Sequence, residues 1–144
     1  MDNNELLEYI YQTVDMGVHS TNKLLQDLKG KDNKIIEVIE DIKKEYLSFE
    51  KDIKKIAKKH KVSLDDIGIM AKLGSSMEMK MEVMKDNSDS KIADMLIRGN
   101  TMGIIETEKN IHKFENKTEK DILKLANDLL EFQNNSVKKL KEYL

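Results

Sequence analysis

The stretch KIADMLIRGNTMGIIETEKNIHKF, residues 91–114, decides the fold. Ile92, Leu96, Gly99, Gly103, Glu106 and Asn110 trace one stripe at helical spacing, and Ala93, Ile97, Asn100, Ile104, Thr107 and Ile111 trace the next one round. So wide an apolar face needs more than one neighbour, so the pattern predicts a helix inside a bundle, touching both the other long helices and the segment that precedes it. Its middle also echoes an earlier stretch. Met102, Gly103, Ile104, Thr107, Lys109 and Ile111 repeat Met16, Gly17, Val18, Thr21, Lys23 and Leu25 at one constant offset. Val137, Lys138, Lys139 and Leu140 repeat Ile53, Lys54, Lys55 and Ile56 at a slightly shorter one. The chain therefore reads as two related halves.

Working outward, a first helix is predicted over about 4–29, with Leu7, Ile10, Val14, Gly17, Val18, Thr21, Leu25 and Leu28 facing inward. Gly30 ends it. Asp32 is placed to cap a second helix running to about residue 61, whose stripe Ile35, Ile39, Ile42, Tyr46, Phe49, Ile53 and Ile56 is close to a heptad pattern. So short a turn makes residues 1–61 an antiparallel hairpin. Residues 62–89 read as a Met-rich crossover helix with the stripe Ile67, Met70, Leu73 or Gly74, Met77, Met81 and Met84, bent at Gly74, Ser75 and Ser76. Residues 90–144 form the second hairpin. Ser88 or Ser90 caps its first helix, and Thr118 with Asp121 begins its second, in which Ile122, Ala126, Leu129, Leu130, Gln133, Val137 and Leu140 face in. The expectation is one all-α domain over 1–144, an antiparallel four-helix bundle of two hairpins joined by a long helical crossover.

Composition agrees. Hydrophobic residues make up 39% and charged residues 36%, with no proline and 6 glycines, which suits long amphipathic helices and leaves little material for strands. The lack of cysteine removes disulfides, thiolate metal sites and thiol nucleophiles. The start, MDNNELLEYI, has neither the basic residues nor the apolar run of a signal peptide, and no stretch approaches the roughly 20 apolar residues of a membrane span. A cytoplasmic protein is expected. A net charge of −2 with mixed signs, and Arg98 as the one arginine, argue against a nucleic-acid binder.

Two long antiparallel hairpins joined by a crossover, with an internal echo between them, resemble the ferritin-like superfamily. Its di-metal members carry an inward Glu on the first helix of each hairpin and Glu-x-x-His on the second. Here Val14 and Val18 stand at the centre of the first helix, Phe49 and Gln133 stand at mid-stripe in the second helix of each hairpin, and Glu-x-x-His is missing from both. The resemblance is thus to the bacterial ferritin-like bundles without the metal centre, and implies neither iron chemistry nor a cofactor. Were metal bound after all, Glu8, Glu45, Glu50 and Glu106 head the ligand candidates.

Other candidate groups have plain structural readings. Asp15 with His19, and Glu108 with His112 and Glu115, share helix faces at metal-ligand spacing, yet belong to charge ladders of exposed surface. His60 suits the negative end of the second helix. Thioethers at Met77, Met81 and Met84 suit Cu(I), but methionine more often fills irregular packing. Gly17, Gly99 and Gly103 point to close helix approach. Thr21, Asn100, Thr107 and Gln133 face inward, so a hydrogen-bonded network fixing helix register is predicted, with a small polar ligand as the alternative. No nucleophile–base pair, carboxylate pair or phosphate loop is legible. The expected function is therefore non-enzymatic, structural or protein-interaction in type, and the alternative is a metal-binding ferritin-like protein with divergent ligands. Leu123, Leu125 and Phe132, with Met95, Met102 and Ile105, lie off the main stripes and predict a homodimer or another protein partner.

Overall fold

The computed structural model describes residues 2–64 and 85–144, with side chains from Glu5 onward. Four helices make it up: α1 (Asp2–Asp27), α2 (Ile36–Lys59), α3 (Asp89–Phe114) and α4 (Lys120–Lys141). They run 22 to 26 residues, or about 33–39 Å at 1.5 Å per residue. No strand occurs among the described residues, and none of their helices is long and apolar enough to cross a membrane. The predicted crossover over 62–89, with its methionine stripe, falls largely on residues outside those described.

Each hairpin packs chiefly on itself, α1 along α2 and α3 along α4, and the two then meet through α1–α3, α1–α4 and α2–α4 contacts. The core is aliphatic. Leu7, Ile10, Val14, Ile39, Ile53, Ile122, Leu129 and Leu140 are all fully buried, each stabilising the fold by about 1.5–3 kcal/mol. The α1 stripe is wider than predicted: Leu6, Tyr11 and Leu24 are buried as well, whereas Val18 and Leu25 are half-buried. α1 meets both α3 and α4 across the bundle in addition to its hairpin partner α2.

Two polar clamps tie the hairpins at opposite ends. At one end the Asp89 carboxylate, in the first turn of α3, accepts hydrogen bonds from Asn33 Nδ2 (2.9 Å) and from the backbone N–H groups of Lys34 (3.2 Å) and Ile35 (3.4 Å). Asp89 thereby serves the start of α2, the role predicted for Asp32. At the other end His60 Nε2 lies 2.9 Å from both carboxylate oxygens of Asp121, and Lys59 Nζ lies 3.1 Å from one of them. Burial disfavours the Asp121 charge, but the His60 and Lys59 bonds outweigh it and hold the carboxyl below its ordinary range. The predicted start of α4 changes accordingly: Glu119 is the N-cap, without a side-chain cap bond, and Asp121 turns to the end of α2. Gly30, at φ +82, stops the first helix just past its last turn, and Ser88 caps α3 by accepting from Lys91 N, both as predicted.

The clamps fix the directions of the helices. α2 ends beside the start of α4, and α3 starts beside the α1–α2 turn, so the chain leaves the first hairpin at one end of the bundle and enters the second at the other.

Burial along α3 is uneven. The preceding segment expected to cover one side of it falls largely outside the described residues, and the buried residues of α3 are Ile92 and Ala93 near one end and Thr107, Ile111 and Phe114 near the other. Between them none is fully buried, Gly99 is exposed, and Met102 and Ile105 keep 70% and 50% of their surface. Among the described residues α4 covers one flank of α3, and the flank toward α1 stands open at mid-length.

Candidate functional site

Where α3 stands away from α1, a cleft of about 650 Å3 opens between the hairpins. Met16, Gly17 and Ser20 of α1 form one wall, and Leu96, Gly99 and Gly103 of α3 form the other. Ile39, Ile42 and Tyr46 of α2 and Gln133 and Leu140 of α4 lie beneath. Cavities of roughly this size hold small organic ligands.

The echo between the halves explains how the cleft is built. Gly17 lies on the first helix of its hairpin, and a side chain from the second helix fills the place of its missing Cβ: a methyl there would collide with Cζ, Cε1 and Cε2 of Tyr46. Gly103 stands at the equivalent place in the second hairpin, where an added Cβ would come 3.0 Å from Gln133 Nε2. Gly99 meets nothing within 4 Å. The glycines therefore do not mark close helix approach, as predicted. Two of them admit a ring and an amide, and the third borders open space.

The Tyr46 ring is further held edge-on to Phe132, with centroids 4.9 Å apart, and Phe132 lies 5.5 Å from Phe49. Phe132 thus belongs to the interior packing, and Leu125 is buried, so neither forms the free apolar surface predicted for α4. Burial in this setting pushes the Tyr46 hydroxyl up to about 12.

The four inward polar residues do not form the predicted network. Thr21 donates to Gly17 O at 2.8 Å and Val18 O at 3.2 Å within its own helix, and Asn100 Nδ2 donates to Leu96 O at 2.9 Å. Thr107 pairs with the Tyr9 hydroxyl at 2.9 Å, a bond that bridges α1 and α3 at one end of the cleft. Gln133 is 2% exposed, and its Oε1 is buried with no hydrogen-bond partner. An unpaired buried acceptor costs about 1–3 kcal/mol, so Gln133 is a strained choice for a position that Leu could fill.

The remaining predicted groups lie apart from the cleft or at its rim. Glu108, His112 and Glu115 are exposed on α3, while Asp15 and His19 are half-buried on α1. Glu106 borders the cleft, Glu45 lies on exposed α2 surface, and Glu8 and Glu50 are half-buried. Among the described residues no three of His, Asp and Glu converge in a manner that would hold a metal ion. Met77, Met81 and Met84 lie outside the described residues.

The sequence singled out Gly17, Tyr46, Gly99, Met102, Gly103 and Gln133, which line the cleft, but not Tyr9, Gln12, Thr13 or Ser20, nor the cleft itself. The available signal was the clustering of the small residues Thr13, Gly17 and Ser20 on α1 and Gly99 and Gly103 on α3, the helices that wall the cleft. No known protein-family model, curated protein or solved structure matches the chain.

Proposed function

We propose that the protein is a non-enzymatic bundle of interaction type, related to the ferritin-like bundles without a metal centre, and that it pairs with a second copy through the middle of α3. The carrying observation is that Met102 and Ile105 face solvent on a helix whose two ends are buried. Large apolar side chains grouped in this way are normally covered by a partner.

Charge favours a second copy. Arg98 and Glu106 are both exposed and stand one turn before and one turn after Met102. Two α3 helices laid antiparallel about Met102 bring each Arg98 level with Glu106 of the other copy, and each Ile105 level with the open surface at Gly99. Intrahelical ion pairs at 2.9 Å to Asp94 and 3.6 Å to Lys109 hold Arg98 and Glu106 in the monomer, and such exposed pairs exchange partners at little cost.

Sedimentation velocity tests the reading. A dimer is expected at tens of micromolar, and a Met102→Asp, Ile105→Asp variant is expected to sediment as a monomer with unchanged helical circular dichroism. A wild-type monomer throughout the micromolar range, or a variant that still dimerises, overturns it.

A further inference from the structure

A second groove, between α2 and α4, has no residue of α3 in its walls. It encloses about 320 Å3, and its floor is formed by Phe49 and Phe132, whose ring centroids are 5.5 Å apart. Phe49 is buried, and the half-buried Phe132 is also held by the Tyr46 ring, so the floor is firm. Ser136 lines the same groove at 2% exposure, and among the described residues its hydroxyl has no hydrogen-bond partner. A helical hydroxyl ordinarily turns back to the carbonyl four residues earlier, as those of Thr21 and Thr101 do. That of Ser136 does not. Packing alone favours alanine at such a position, because a desolvated hydroxyl without a partner is destabilising.

The charges along the groove narrow what could serve that hydroxyl. Glu45 and Glu131 stand exposed at its edge, Asp128 is half-buried, and Lys139 is the one cation among the described residues that line it. Lys124, from just outside, pairs with Asp128 at 2.8 Å. Glu45 and Glu131 form no ion pair among the described residues. The bond to Asp128 and the Asp128 charge raise the pKa of the Lys124 amine, with further help from Asp52 and Glu131, so an ammonium is already favoured beside this wall. A carboxylate or phosphate guest would be repelled. A single metal ion is not suited either, because among the described residues no three carboxylates converge as a cation of that size requires. An elongated amine can meet separated carboxylates one at each end.

We infer that the α2–α4 groove binds an aliphatic diamine, whose two ammonium groups pair with Glu45 and Glu131 and whose methylenes lie on Phe49 and Phe132. One ammonium also donates to the Ser136 hydroxyl oxygen, which gives that side chain the partner it lacks. The phenyl rings add the attraction of an aromatic face for an alkylammonium.

The test titrates 15N-labelled protein at low ionic strength, where exposed ion pairs are least screened, with 1,4-diaminobutane, 1-aminobutane and 1,4-butanediol. The signals followed are the backbone amides of Glu131, Asn135 and Ser136. The diamine is expected to shift all three and to bind about fivefold more tightly than the monoamine, the effect of one further exposed ion pair. The diol is expected to shift none. Glu45→Gln and Glu131→Gln are each expected to weaken the diamine about fivefold, to the level of the monoamine. Ser136→Ala, which removes a single oxygen, is expected to weaken it by about fivefold through the lost hydrogen bond. Glu115→Gln removes the same charge from exposed α3 surface and is expected to leave affinity unchanged. Helical circular dichroism should be the same in all four variants. Silence of the three amides toward both amines, equal affinity for the two amines, diamine affinity unchanged in Glu131→Gln or Ser136→Ala, or equal weakening by Glu115→Gln and Glu131→Gln would each overturn the assignment. Pairing between copies through α3 is read by sedimentation, so either proposal fails without the other.

Discussion

The hydrogen atom that serves as the side chain of Gly17 lets the Tyr46 ring pack directly on α1 and form part of the cleft floor. Gly99 lies on the facing helix with open space where its side chain would be. The two therefore respond oppositely to the same methyl group. In a helix interior Gly→Ala gains about 1 kcal/mol from backbone entropy. At Gly99 nothing opposes that gain, so Gly99→Ala is expected to stabilise the protein by about 0.5–1 kcal/mol. At Gly17 the methyl must displace an aromatic ring packed on Phe132, an overpacking that costs about 1–3 kcal/mol and outweighs the gain. Urea unfolding measures both, and equal stabilisation by the two substitutions would show that the ring has room to move. Single residues were unevenly legible in the sequence. The Ser88 cap and the Gly30 turn were readable because their partners are neighbours in the chain. The service of Asp89 to Lys34 and Ile35 was not, because it joins positions 54 and 55 residues apart. Gln133 was correctly placed inside, but its lack of a partner depends on a separation between helices that no periodicity encodes.

Among the elements, α3 carries the sharpest contrast between pattern and packing. Its apolar residues occupy two stripes, and the pattern correctly identified a helix from about residue 91 to 114. A hydrophobic pattern records which faces avoid water; it does not record what covers them, and in the described residues α4 covers one flank while the other borders the cleft. The consequence is uneven stability along one helix. Asp89, Ile92 and Ala93 anchor its first turns, and Thr107, Ile111 and Phe114 anchor its last. Its middle holds Gly99 and Gly103, each about 1 kcal/mol poorer than alanine in a helix, and lacks a fully buried side chain. In the monomer, native-state hydrogen exchange should therefore find amides 99–106 protected roughly tenfold or more below amides 108–114. Uniform protection along α3 would mean that something holds its middle as firmly as its ends.

At the scale of the molecule, two hairpins, clamped at opposite ends, enclose an interior that is neutral at mid-height. This much the sequence allowed: long stripes fixed the helices, short turns fixed the hairpins, and the long interval between them implied a return over the bundle's length. The separation of α1 from α3 was not legible, since it arises from how two complete hairpins meet. The same architecture bears on metal chemistry. A di-iron centre requires about four carboxylates and two histidines pointing inward from facing helices. The positions available here hold Val14, Thr21, Phe49, Thr107 and Gln133, all buried and none charged. Bringing Glu45 and Glu106 inward from exposed positions would require rotating whole helices and delivering Ile39, Ile53 or Ile111 to solvent. At about 1.5–3 kcal/mol for each large aliphatic exposed, a few such residues consume the 5–15 kcal/mol that holds a typical domain folded. Ferrous iron added in air to metal-free protein should therefore remain at the buffer's own oxidation rate, and the protein recovered by gel filtration should carry far less than one iron per chain. Two irons per chain with accelerated oxidation would overturn that expectation, and alanine substitutions at Glu8, Glu45, Glu50 and Glu106 would then identify the ligands.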